Sequence, residues 1–264
     1  MDRPIDGGAA LPPYTREETI PTLTREQVTS PEDPYAFLKV FDTVLLIDDS
    51  ASMEKYWGQV GAFLKQIEPI FTDRDVNGID IYFVNHYDRD YNYFKVIGRA
   101  GECDGSQNIG QVTGPVDVRE SLAGIFNSIK PQGNCRLEHR LSHILDPYML
   151  RLRHDTTIKP MNLILITAGV VKDKPNTPLA RTYEMLDNMK TPPYQVGLQF
   201  FCIGDDEKGR RAVEVAEDKM DMGEDAAQVI DMVTWNVKPF ELSPKTVLDV
   251  MLSAVVKAVD KMNA

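Results

Sequence analysis

The residues best placed to do chemistry are Asp48, Ser50 and Ser52, in the run Asp48-Asp49-Ser50-Ala51-Ser52. A D-x-S-x-S turn brings one carboxylate and two hydroxyls onto a few residues of backbone. These are hard oxygen donors, suited to Mg²⁺, Mn²⁺ or Ca²⁺. The same atoms have a plainer use, with Asp48 capping the turn and the serines satisfying backbone groups. A second set is Cys135, His139 and His143, spaced four apart on one helical face. Along a helix the first and last rise about 12 Å, too far to meet at one ion. His86 and His154 stand alone, and Gly204-Asp205-Asp206-Glu207 reads as an acidic helix start. No phosphate-binding glycine loop and no nucleophile-elbow motif occurs.

Such a turn matters only if something holds it. The preceding residues, Phe41-Asp42-Thr43-Val44-Leu45-Leu46-Ile47, form an almost continuous apolar run. Runs apolar on both faces suit a central parallel strand covered by helices. After the turn come Trp57, Val60, Leu64, Ile67 and Phe71, at helical spacing. Buried strands are also expected at 79–84, 161–167 and 197–203, and helices near 116–129, 137–153, 177–190 and 207–217. Residues 85–114 read as a long loop with a short strand near 94–97, its aromatics Tyr87, Tyr91, Tyr93 and Phe94 covering a sheet edge. The last helix is expected to start with Ser243 as N-cap and Pro244 at its first position.

Alternating strands and helices predict an α/β fold, a doubly wound, mostly parallel central sheet with helices on both faces. Residues 1–35, broken by six prolines, read as an extended or disordered arm, and 36–264 as one domain. In such sheets ligands sit beyond the carboxyl ends of the strands, where strand order reverses. That is where Asp48 falls.

The net charge is −11, with 29 Lys and Arg against 40 Asp and Glu. An acidic surface repels phosphate backbones and anionic lipid, which argues against nucleic-acid and membrane partners and favours a basic protein partner. The three cysteines cannot all pair, the stretch MDRPIDGGAALPPYTREE holds no apolar h-region, and no long apolar span occurs. The cytoplasm is the expected location.

The stretch FDTVLLIDDSASM resembles the opening of a von Willebrand A domain, especially the intracellular kind found in filamentous fungi. IKPQGNCRLEHRL, LILITAGV and GLQFFCIGDD are similar to the segments that follow in that family. The resemblance covers about residues 36 to 264. It implies a metal-ion-dependent adhesion site with Asp48, Ser50 and Ser52 as ligands. It also places Cys135 where the family has a threonine, and Ala168 where it has an aspartate. A thiol and a methyl group in those places predict weak or absent Mg²⁺ or Mn²⁺ binding, with Asp49 as the neighbouring carboxylate. The implied function is a non-catalytic protein-interaction module. Its docking face is formed by Asp48, Asp49, Ser50, Ser52, Gly133, Asn134, Cys135 and Ala168. The rival reading is an enzyme on the same scaffold, with a small-molecule pocket near Asp48 and Cys135.

Overall fold

A computed structural model describes residues 23–74, 79–86, 106–109, 126–168, 171–203, 207, 211, 230–235 and 244–262. Among these residues six strands form one sheet: β1 (Asp42–Ile47), β2 (Ile79–Phe83), β3 (Ser106–Ile109), β4 (Met161–Thr167), β5 (Val196–Ile203) and β6 (Ile230–Trp235). Their order is β3-β2-β1-β4-β5-β6. All neighbours are parallel except β3, which runs antiparallel to β2 at the edge.

Among the described residues the named helices are α1 (Arg25–Val28), α2 (Trp57–Arg74), α3 (Leu137–His154), α4 (Asn176–Asn188) and α5 (Pro244–Met262). A 3₁₀ segment, Ala51–Tyr56, joins β1 to α2. Alternate residues of each central strand feed two separate cores, as the period of two requires. Leu45, Ile47, Ile164, Ile166 and Phe201 pack with Val60, Phe63 and Ile67 of α2 and Val250, Met251 and Val255 of α5. Val44, Leu46, Leu163, Leu165 and Phe200 pack with Leu141, Leu145 and Tyr148 of α3 and Leu179 and Tyr183 of α4. Every residue of β4 and β5 is buried, the mark of a sheet covered on both faces. The doubly wound α/β architecture is therefore as the apolar runs require.

Polar atoms set the seat of α5 on the sheet. Asn162 Nδ2 donates to Met251 O at 2.7 Å, and Ala254 N donates to Gln199 Oε1 at 3.0 Å.

Several details depart from the apolar pattern. The strand Ser106–Ile109 lies inside the expected loop, and its sequence SQNI has no run of β-branched or aromatic residues. β6 was not anticipated, although IDMVTW does carry Ile, Val, Thr and Trp. The short strand near 94–97, the aromatics at 87–94, Ser243 and the loop 204–206 fall outside the described residues. So do most of the expected helices at 116–129 and 207–217, apart from helical 126–128 and the helical residues Glu207 and Arg211. No described helix is long and apolar enough to cross a membrane.

Candidate functional site

The strand order reverses between β1 and β4, because the chain moves outward from β1 through β2 to one edge and from β4 through β5 to the other. The carboxyl ends of these two strands carry Asp48 and Thr167-Ala168. Register pairs Ile47 with Ile166, so Asp48 and Thr167 emerge side by side. Thr167 Oγ1 donates to Asp48 Oδ2 at 2.8 Å. Ser50 N donates to the other oxygen, Oδ1, at 2.9 Å. The Cys135 thiol also hydrogen-bonds to the Asp48 side chain. Three donors thus converge on one carboxylate with no exposed surface.

Ser50 and Ser52 lie beside this knot with their hydroxyl oxygens 2.8 Å apart, bonded to each other. Asp49 turns the opposite way and ties β1 to the end of β2. Asn85 N donates to Asp49 Oδ1 at 2.6 Å, and Gln132 N donates to Asp49 O at 2.7 Å. Asp49 Oδ2 is buried with no hydrogen-bond partner among the described residues. Burial pushes the Asp49 carboxyl above its ordinary value, and neighbouring Asp48 adds to the rise against backbone donors that lower it.

The loop 130–136 is fastened on both sides. Ala51 N donates to Gly133 O at 3.1 Å, and Asn85 Nδ2 donates to Gln132 O at 3.0 Å. Gly133 holds φ at 70°, a left-handed conformation that disfavours side chains. On the far side Cys135 forms a parallel bridge with Val171, and Lys172 N donates to Cys135 O at 3.0 Å. Asp173 then caps α3 from another loop, accepting Leu137 N and Glu138 N, each at 3.0 Å. Gly133 and Asn134 are exposed at the tip, while Cys135 and Ala168 are buried beneath it. The eight residues expected at the face therefore lie in one loop cluster. Asp48, Asp49, Ser50, Cys135 and Ala168 form its buried floor, and Ser52, Gly133 and Asn134 reach the surface.

Arg140 was not anticipated. It is fully buried in α3 and donates from Nε to Phe83 O at 2.6 Å and from a terminal nitrogen to His86 O at 3.0 Å. Its guanidinium carbon lies 5.4 Å from the centre of the Tyr82 ring. In sequence, an arginine among helical charges looks like a solvated residue. Its place between Leu137 and Leu141, Ile144 on the apolar stripe was the available signal.

Burial pushes the Cys135 thiol well above its ordinary value, with the Asp48 charge as the next cause. A neutral, buried thiol is a poor nucleophile. His139 and His143 stack edge to face with centroids 4.4 Å apart, and among the described residues no three His, Cys, Asp or Glu side chains are grouped to hold a metal. The Mg²⁺ or Mn²⁺ implied by the family resemblance does not fit this donor set. Both oxygens of Asp48 already accept hydrogen bonds, and Cys135 and Ala168 offer a soft thiol and a methyl group.

No family model matches the chain, and no curated protein matches it. Some solved structures are similar to it at low identity and with TM-scores under 0.5. Proximal thread matrix protein 1 from the mussel byssus is 11% identical with a TM-score of 0.46, over 84% of this chain and 49% of that one. The manganese-loaded TRAP protein of Plasmodium vivax is 9% identical with a TM-score of 0.42, over 83% and 74%. The pilus adhesin SpaC of Lactobacillus rhamnosus GG, in an open conformation, is 14% identical with a TM-score of 0.39, over 84% and 30%. The chain spans about half the length of the mussel protein and under a third of the pilus adhesin. Likeness at this level assigns neither family nor function.

Proposed function

We propose that the chain is a non-catalytic interaction module of von Willebrand A type that docks a protein partner through its strand-end loops, with divalent-metal binding weak or absent. The observation that carries this reading is the closed state of Asp48. Its carboxylate has no exposed surface and is held by Ser50 N, Thr167 Oγ1 and the Cys135 thiol. A group so engaged is ill placed to transfer protons or to complete an ion's coordination shell. The same bonds stiffen the loops above it, and a pre-ordered surface loses little freedom on binding.

The first test is titration of EDTA-stripped protein with Mn²⁺ and Mg²⁺, beside Ser52→Ala. Expected is no dissociation constant tighter than about 1 mM, a binding energy near 4 kcal/mol. A micromolar constant that weakens in Ser52→Ala would restore the metal-dependent reading. The second test places a photo-crosslinking residue at Asn134 or, as a control, at Asn188, which is exposed at the end of α4. Crosslinked protein bands specific to Asn134 are expected. Identical patterns at both positions would remove the docking role of this face.

A further inference from the structure

The chain is strongly acidic, yet its strand-end loops present cations. Lys130 and Arg136 flank the Gly133 tip, and Lys172 and Lys174 stand in the loop that follows β4; all four are exposed. Among the described residues none of the four is ion-paired. The backbone links their two loops directly, through the Cys135–Val171 bridge and the 3.0 Å bond from Lys172 N to Cys135 O. Lys174 N also donates to Glu138 Oε2 at 3.4 Å.

The nearby carboxylates offset this charge only in part at the surface, where Glu138 and Asp173 are half-buried beside the cations. Asp48 and Asp49 are buried in the floor, and Asp173 spends both oxygens on the N-terminus of α3. Glu54, on the 3₁₀ segment before α2, is exposed, whereas Glu138 at the start of α3 and Asp173 are half-buried. Four exposed cations on adjoining, fastened loops make a basic surface cluster on a chain whose net charge is −11. Local surface charge, not net charge, decides what docks at short range, since salt screens the rest beyond about 8–10 Å.

We infer that the partner segment taken by the strand-end face is acidic, a loop or peptide with clustered Asp or Glu side chains held by Lys130, Arg136, Lys172 and Lys174. This deepens the docking role proposed above and rests on it. The contact is direct and needs no metal bridge. A short acidic segment can sit wholly within the patch, whereas a long polyanion would run on into the acidic remainder of the surface. That difference favours a protein segment over a nucleic acid.

The test is fluorescence anisotropy of the intact protein with a labelled decaglutamate peptide at about 20 mM salt, where screening is weak. Saturable binding is expected. It should weaken at least about tenfold in Lys172→Glu/Lys174→Glu and in Lys130→Glu/Arg136→Glu, and by less than about twofold in Arg153→Glu/Lys190→Glu, exposed cations of the opposite end. Circular dichroism and melting of each variant check the fold. Three results would overturn the inference: no binding by the folded wild type, equal loss in the control variant, or equal or tighter binding of decalysine or of a labelled thymidine decanucleotide. If crosslinking at Asn134 succeeds while decaglutamate fails, the docking role stands and the acidic partner falls. If both fail, the docking role falls as well.

Discussion

Asp48 and Asp49 are adjacent and equally buried, but their hydrogen bonding separates them. Asp48 accepts from Ser50 N, Thr167 Oγ1 and Cys135, three donors that converge on one buried carboxylate. Asp48→Ala removes the acceptor that these three donors share. A loss of about 2–4 kcal/mol in urea-unfolding free energy is expected. A loss under about 0.5 kcal/mol would mean that the knot contributes nothing. Asp49 is the reverse case, because Oδ2 is buried with no hydrogen-bond partner among the described residues and burial raises the carboxyl's pKa. A raised folded-state pKa means that the native state binds the proton more readily than the unfolded chain. The favourable contribution is therefore present below the unfolded value and is lost as pH rises through the folded one. Asn keeps an oxygen for Asn85 N and carries no charge. Asp49→Asn should thus gain about 1 kcal/mol near pH 7.5, with the gain shrinking to nothing toward pH 4. A gain that grows on acidification would reverse the sign of the argument.

At the scale of elements, α3 works as a strut between two loops. Its first turn is held by Asp173, and one turn on Arg140 grips the end of β2 through Phe83 O and His86 O. Arg140→Leu keeps the apolar stem but leaves two carbonyls without their donor, at an expected cost of about 3 kcal/mol in chemical denaturation. Arg140→Lys should recover less than half, since a point charge cannot reproduce a planar fork. Equal stability of the two variants would show that charge alone matters. The elements themselves were largely legible in the sequence. Met161–Thr167 and Val196–Ile203 are apolar on both faces because both faces are covered, and Leu137–His154 keeps its stripe through Leu141, Ile144, Leu145 and Leu152. β3 was not legible, since edge pairing to β2 asks for backbone bonds rather than a hydrophobic pattern. For the candidate site, the turn D-x-S-x-S marked the place, but nothing in it tells which oxygens are already taken. That is decided by Thr167 and Cys135, more than 80 residues further on, through the register of β1 against β4 and the bridge at Val171.

At the scale of the molecule, the remaining question is where the folding unit begins. Proline content marks residues 1–35 as an arm, yet the described part from Leu23 is built into the structure. Thr24 and Gln27 form a capping box that starts α1, and Val28 at its end is fully buried in the core shared with α2 and α5. Leu23 and Tyr35 pack against the same core. Arg25 reaches Asp260 at 2.7 Å, joining the two ends of the described chain, but both side chains are exposed and the pair contributes little. The apolar contacts therefore dominate. Burying one valine is worth about 1.5–3 kcal/mol, and the partly buried leucine and tyrosine add to it. A chain shortened to begin at Ala36 should lose about 2–4 kcal/mol of unfolding free energy, and Val28→Asp in the full chain should lose a similar amount. Arg25→Ala should change stability by less than about 0.5 kcal/mol. If the shortened chain unfolds at the same urea concentration as the full one, the strap merely rests on the surface and the unit starts near residue 36. If it matches Val28→Asp, the unit starts at or before Leu23, and what holds it there is the buried valine rather than the ion pair.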